Sequence, residues 1–385
     1  MEITILCKVV DNFGDIGVAY RLAKRLVKLQ QNPPQKESLI NSINLIVDDL
    51  EAFSRICNKV VPLKNLQNVL GINIYNWNAY DFCYNEFSKN DGEKLSVILE
   101  CFQCGRPDWM EKILFEDKLE RTVQVIMIDY LTAEAYAETF HCLKSLTRSA
   151  KVQKVNFMPG FTEKTGGLII DEDWKELPER KSDGGILVFT YERDWLPLVR
   201  ALEKLQAKEN PQKKILLAQG RGQKSFLEAV EQTVGQNKAY GEEKLLFECL
   251  PYLNQEDWDK MMKTCSLLFI RGEESLSRAC LSGIPFVWQA YPQSEDYQLV
   301  KVKALLERMR KHFKPKDFEL VEKVWLNINK PESEVTAKEL EDSIYAFLNE
   351  SDNLCYGFRD FALSLRKNGD LAQNLMTFIY KIGIM

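Results

Sequence analysis

Three stretches of the chain carry side chains that could do chemistry. The first is Asp11-Asn12-Phe13-Gly14-Asp15-Ile16-Gly17, two carboxylates in a glycine-bearing loop. Glycine lets a backbone approach a ligand closely. Two carboxylates would repel a phosphate, so the loop suits a cation or a group that must lose a proton. The structural alternative is that Asp15 caps a helix and Asp11 a turn. On residue types alone the two readings stand level. A dinucleotide fingerprint needs Gly-x-Gly-x-x-Gly, which this is not. The second stretch is Ile270-Arg271-Gly272-Glu273-Glu274-Ser275. Here an arginine ends a strand pattern and a helix begins, which makes an anion site from a fixed fork of donors and free backbone N–H groups. Ser275 could add its hydroxyl. The two glutamates alone read as ordinary helix-start residues; Arg271 tips the balance toward a site. The third is Pro285-Phe286-Val287-Trp288-Gln289-Ala290-Tyr291-Pro292-Gln293, a strand running into an aromatic and polar loop. With Phe189, Tyr191 and Tyr252 at other strand ends, these rings could sandwich a nucleobase, although each taken singly is more often core.

Histidine is nearly absent, with only His141 and His312 and no visible partner for either. A Ser-His-Asp or Cys-His enzyme would have to use one of these two, and a multi-histidine metal site is not expected. Proton chemistry in this chain therefore falls to carboxylates. Cys101-Phe102-Gln103-Cys104 is a lone Cys-x-x-Cys without a second pair, so no zinc site is expected. Asp171-Glu172-Asp173 matches a short acidic motif of metal-dependent sugar transferases, but it lies in a polar stretch and reads as a solvated charge run. Lys301, Lys303, Arg308, Arg310, Lys311, Lys314 and Lys316 form a basic segment. Such runs are usually solvated helix faces; docking of an acidic partner is the sharper reading.

The chemically suggestive residues need elements to hold them. Strands are expected at Ile3–Val10, Ile43–Val47, Asn73–Trp77, Val97–Cys101 and Gln124–Ile128. Gly14–Gly17 reads as a turn, and a helix is expected from Val18 to about Gln30, with Val18, Leu22 and Leu26 on one face. The polar stretch 171–185, with Pro178 and Gly184-Gly185, is the linker expected between two halves. After it come strands at Ile186–Tyr191, Ile215–Ala218, Leu245–Cys249, Leu267–Ile270 and Phe286–Trp288, then mostly helix. Alternating strands and helices predict parallel sheets covered on both faces. The fold class is α/β, with two Rossmann-like halves. Ligands of such sheets bind beyond the carboxyl ends of the strands, which is where all three stretches fall.

Length and composition agree. At roughly 150 residues per domain, 385 residues suggest two domains. Hydrophobic residues at 45% and charged residues at 28% are the balance of a soluble globular protein. Lys and Arg number 51 against 56 Asp and Glu, a net charge of −5, which argues against a general nucleic-acid binder. No apolar run approaches the ~20 residues of a membrane helix. The chain opens on a strand pattern without a cleavable apolar segment, so no export signal is expected, the ten cysteines are expected as reduced thiols, and the location expected is cytoplasmic.

Several motifs together carry a family resemblance. They are Cys7 to Val18, Tyr130-Leu131-Thr132-Ala133-Glu134, Met158 to Leu168, Ile270–Ser275 and Phe286–Gln293. The chain resembles the EarP family of bacterial protein-arginine rhamnosyltransferases. The resemblance implies a GT-B fold: a 1–170 acceptor-side domain, a linker at 171–185, a 186–356 nucleotide-sugar domain and a last helix, about 357–385, packing back on the first domain, with a cleft between the two. It implies inverting, metal-independent transfer of L-rhamnose from dTDP-β-L-rhamnose to an arginine of translation elongation factor P, with no further cofactor. It implies Asp15, Asp11 and Glu273 as catalytic residues, Asp15 the principal one. Asn12, Phe13, Gly14, Phe189, Tyr191, Tyr252, Gln255, Arg271, Glu274, Ser275, Gln289 and Tyr291 would bind the donor. The family usually carries Asp where this chain has Glu274, and often Phe where it has Tyr252. Rival expectations are another GT-B nucleotide-sugar transferase with a different acceptor, and a non-catalytic nucleotide-sugar-binding protein.

Overall fold

A computed structural model describes residues 1–10, 13–32, 40–117, 119–208, 213–237 and 245–383. It divides into two units. The first comprises Met1–Lys175 and Arg366–Met385, and the second Glu176–Leu365.

The first unit contains β1 (Glu2–Cys7), β2 (Ser42–Val47), β3 (Leu66–Val69), β4 (Ile72–Asn76), β5 (Val97–Cys101), β6 (Val123–Ile128), β7 (Lys144–Ser145) and β8 (Val152–Phe157). They lie in the order β3-β4-β2-β1-β5-β6-β8-β7. The six central strands run parallel, and β3 and β7 are antiparallel edges. Parallel strands covered on both faces are apolar throughout, and β1 is buried at five of its six residues. Helix α1 (Gly14–Gln31) packs on this sheet through Ile16, Ala19, Tyr20, Ala23 and Leu26. The helix therefore begins four residues earlier than the sequence pattern suggested, and Gly14-Asp15-Ile16-Gly17 is its first turn rather than a separate turn. The edge strands β3 and β7 and the inner strand β8 were not legible in the sequence. β8 alternates buried and more open positions, and its polar half hides the strand pattern.

The last helix of the chain, Leu371–Gly383, belongs to this core through Leu371, Ala372, Leu375, Met376 and Ile379. Asp370 anchors it: one carboxylate oxygen accepts the Ile170 N–H at 2.9 Å and the other accepts Arg25 Nε at 2.8 Å. The acidic run at 171–173 joins the same system. Asp171 pairs with Arg21 at 2.8 Å and Glu172 with Arg25 at 2.7 Å, while Trp174 is wholly buried. The expected solvated charge run is thus part of the fold, because α1 carries two buried arginines that need carboxylates. At the far end of the 171–185 stretch Gly184 and Gly185 pack against Thr264–Ser266 and Lys214. The preceding helix runs unbroken over Ala337–Lys367.

The second unit contains β9 (Gly185–Val188), β10 (Ile215–Leu217), β11 (Phe247–Cys249), β12 (Cys265–Arg271) and β13 (Phe286–Gln289). All are parallel, in the order β11-β10-β9-β12-β13. In each unit the strand order reverses direction next to the first strand, between β1 and β5 and between β9 and β12. That is where doubly wound sheets open a crevice for ligands. No described helix is long and apolar enough to cross a membrane.

Candidate active site

In the first unit the chemistry gathers beyond the carboxyl ends of β1, β5 and β6. Asp15 stands in the first turn of α1 and is 2% exposed. Its Oδ2 accepts the Val10 N–H at 3.0 Å and its Oδ1 accepts the Tyr130 hydroxyl at 3.1 Å. The N-cap residue makes no side-chain cap for this helix, and Asp15 is the acidic residue of its first turn. Phe13 is the N-cap residue and Gly14 opens the helix. Asp11 and Asn12 lie outside the described residues. Below the carboxylate sit Cys7 and Cys101, whose thiols burial pushes far up, with the Asp15 charge adding to the shift. They stay protonated and serve as apolar packing. Cys104 is likewise pushed up to about 12, mainly by burial, so the Cys-x-x-Cys pair holds no reactive thiolate.

In the second unit five of the expected residues converge. Arg271 ends β12, and its guanidinium carbon lies 4.5 Å from the ring centroids of both Phe189 and Tyr191, which follow β9. Its Nε is buried without a hydrogen-bond partner, and no described carboxylate pairs with it. A cation held between two rings and offering unsatisfied donors is a receptor for an anion. Gly272, at φ +71°, lets the chain turn directly from Arg271 into the helix Glu273–Ser282. Gln289, at the end of β13, accepts the Tyr191 N–H at 2.7 Å, and Tyr291 meets the Tyr191 ring edge-on at 5.3 Å. Gln255 donates to Glu274 at 3.4 Å. Ser275 is buried in the first turn of the helix that Glu273 opens, and Lys301 stands 3.9 Å from Glu273. Tyr252 and Tyr291 are the exposed rings of the set. Glu273 belongs to this unit and Asp15 to the other.

A family model for the elongation-factor-P (EF-P) rhamnosyltransferase EarP matches residues 3–380 of the chain. The chain belongs to the EarP family. Its relatives include the protein-arginine rhamnosyltransferase of Shewanella oneidensis, 31% identical over 334 residues, which span 78% of this chain and 79% of that one. The Pseudomonas aeruginosa enzyme of the same name is 30% identical over 324 residues, 79% and 80% of the two chains. Among solved structures, one on EarP-mediated arginine glycosylation of EF-P aligns over 99% of this chain and 98% of that one, with a TM-score of 0.55 at 18% identity. A transferase from Siraitia grosvenorii in complex with UDP aligns over 99% of both chains, also at 0.55, with 11% identity. These two likenesses concern the fold, which is GT-B.

Several residues of this candidate site in the EarP-family chain escaped sequence reasoning. Trp258 supports Phe189 edge-on at 4.8 Å. Asn329 uses its whole amide to clamp the loop after β13. It accepts the Ala290 N–H at 2.8 Å and donates to the carbonyls of Trp288 at 2.7 Å and Trp325 at 2.8 Å. Nothing near Asn329 in sequence marks it. Gly220-Arg221-Gly222, by contrast, follows β10 at a strand end and could have been noticed. A Cβ on Gly222 would meet the Thr190 carbonyl oxygen at 2.6 Å and that of Tyr191 at 2.7 Å, so the loop carrying Tyr191 closes only over glycine.

Both histidines have partners that sequence did not show. His141 Nδ1 accepts the Met158 N–H at 3.1 Å and packs on Phe157, and its burial depresses its pKa. His312 meets Asp360 at 2.6 Å. In the basic segment Arg310 pairs with Glu307 and Glu322. Among the described residues no three His, Cys, Asp or Glu side chains assemble in a way that could hold a metal ion.

Proposed function

We propose that this chain transfers L-rhamnose from dTDP-β-L-rhamnose to one arginine side chain of translation elongation factor P, with inversion at the anomeric carbon and without a metal ion. That it is a protein-arginine rhamnosyltransferase follows from its family. The observation that carries the finer reading is Arg271, a guanidinium between two aromatic rings with its Nε buried and unsatisfied. This is the receptor a nucleoside diphosphate needs, and the adjacent rings of Tyr191 and Tyr291 suit the flat parts of the donor.

The acceptor chemistry explains the use of carboxylates. A guanidinium, with a pKa above ~12, has no free lone pair at neutral pH. A carboxylate can grip its fork in a bidentate pair and aim one nitrogen at the anomeric carbon. As the C–N bond forms, the bond from the anomeric carbon to the diphosphate oxygen breaks, and the nitrogen passes its proton to Asp15. The electron pair of the broken bond leaves with dTDP, whose charge Arg271 and the N-terminus of the helix Glu273–Ser282 stabilise. Asp11 and Glu273 assist in holding the acceptor guanidinium. Asn12, Phe13 and Gly14 line the sugar, and Tyr252, Gln255, Glu274, Ser275 and Gln289 complete the donor contacts.

Intact-mass spectrometry tests the whole reading. Elongation factor P incubated with this protein and dTDP-β-L-rhamnose should gain one deoxyhexose on an arginine, equally in the presence of EDTA. No gain despite donor binding would point to another acceptor or to a binding protein without turnover. Activity lost to EDTA and restored by a divalent ion would end the metal-independent mechanism. A second variant checks the donor loop. Gly222→Ala should lose roughly 1–3 kcal/mol of stability from overpacking and bind dTDP more weakly. Calorimetry giving wild-type affinity in the folded variant would remove the Thr190–Tyr191 loop from the donor site.

A further inference from the structure

The motif Tyr130–Glu134 has no part in the donor chemistry, yet its first residue touches the carboxylate on which the acceptor chemistry turns. Tyr130 follows β6 and lies 115 positions from Asp15, to which it donates at 3.1 Å. The two oxygens of Asp15 are thus held separately, one by the Val10 N–H beyond β1 and one by the Tyr130 hydroxyl beyond β6. Tyr130 is itself held. Its ring stacks on Phe102, with centroids 4.7 Å apart and planes 23° from parallel. Its backbone N–H donates to Asp129 Oδ1 at 2.8 Å, and Asp129 Oδ2 accepts Gln103 Nε2 at 3.3 Å.

Phe102 stands where it does at a conformational cost. Phe102 and Gln103 are consecutive non-glycine residues, both at φ +55°, in a turn closed by the Cys104 N–H on the Cys101 carbonyl at 3.1 Å. Two successive left-handed residues with side chains persist only where the surroundings over-determine them, and such turns concentrate at functional sites. A glycine pair would make this turn more cheaply, but it would leave no ring beneath Tyr130.

We infer that Tyr130, braced by Phe102 on the strained 101–104 turn, is a positioning residue that sets the orientation of the Asp15 carboxylate toward the acceptor. This rests on the role given to Asp15 above. The phenol takes one lone pair of Oδ1 and so fixes which edge of the carboxylate remains for the incoming guanidinium. Orientation of this kind is worth large factors, since a misplacement of ~1 Å can cost about 100-fold in rate.

Tyr130→Phe isolates the hydroxyl, because phenylalanine keeps the stack on Phe102. The variant should fold with at most a modest fall in melting temperature and keep the KM for dTDP-β-L-rhamnose, while kcat falls by roughly 10- to 100-fold. A merely structural tyrosine would change stability and leave kcat. A kcat within about twofold of wild type overturns the inference. A second readout needs no turnover. The Asp15 carboxylate stretch, isolated as the infrared difference between the protein and its Asp15→Asn variant, should move in Tyr130→Phe. A band that stays in place overturns the positioning role. A band that moves in Tyr130→Phe while the wild-type protein never modifies elongation factor P would instead sink the acceptor reading, leaving the hydrogen bond standing.

Discussion

Asp15→Asn should lower the rate of rhamnosyl transfer by about 10³–10⁴-fold, near the upper range of what one positioned base contributes, while leaving dTDP affinity within about threefold. The substitution is nearly isosteric. The side chain is buried, and its amide oxygen can still accept one of the two donors, from Val10 or Tyr130, that the carboxylate takes now. What goes is the negative charge, and with it, in the proposed mechanism, both the grip on the acceptor guanidinium and the place for its proton. The amide NH₂ would face the Val10 N–H or the Tyr130 hydroxyl, so a modest fall in stability, about 1–2 kcal/mol, should accompany the loss of rate. Single-turnover measurements by intact mass at saturating donor, with calorimetry of dTDP on the same sample, separate the two effects. A variant that transfers rhamnose within about tenfold of wild type would remove Asp15 from proton transfer. One that loses dTDP affinity would make it a donor residue instead.

Arg271→Ala is expected to act the opposite way. It should weaken dTDP binding by about 100-fold, the worth of one or two charge-assisted hydrogen bonds. It should not weaken the fold. Arg271 has no described carboxylate to orphan, and its buried Nε is unsatisfied, so removing the guanidinium leaves no hydrogen-bond partner unpaired. The thermal midpoint should therefore hold or rise, even as the Phe189 and Tyr191 rings lose the cation between them. Arg271→Lys should recover only part of the affinity, because a point charge lacks the planar fork that fits a diphosphate. Calorimetry at two ionic strengths checks this: the wild-type affinity should fall with salt more steeply than that of the alanine variant. Unchanged dTDP affinity in Arg271→Ala would take the residue out of the donor site. A destabilised variant would show that its unsatisfied nitrogen matters less than its packing.

The two residues differ in how far sequence alone could bring them. Arg271 was legible as an anion ligand, since an apolar run of four residues ending in Arg-Gly-Glu-Glu-Ser is a strand handing over to a helix. Its neighbours were not. Phe189 and Tyr191 come 80 or more residues earlier, and only the pairing of β9 with β12 brings both rings within 4.5 Å of the guanidinium. Asp15 was legible as a carboxylate at a strand end, but the glycines around it read as a turn. Burial of Ile16, Ala19 and Tyr20 against the sheet extends α1 over that stretch instead, and so makes Asp15 a first-turn residue. The acidic run at 171–173 misled for a similar reason, because its partners Arg21 and Arg25 lie about 150 positions away.

What the sequence by itself determined is what neighbours within one or two turns control. The apolar runs of the parallel strands, the helical periods between them, the placing of chemical residues directly after strands, and the scarcity of histidine all follow from local order and composition, as does the family motif set. The tertiary structure decided which strand ends become neighbours, and that choice made the sites. It set Tyr130 against Asp15, Arg271 between two rings, and Asn329 across the loop after β13. Loop closure costs rise only with the logarithm of the intervening length, so a partner 115 residues away is hardly dearer than one 20 away, and no local signal marks it. The pairing is selected by burial of the whole sheet, in which each such contact is a small part.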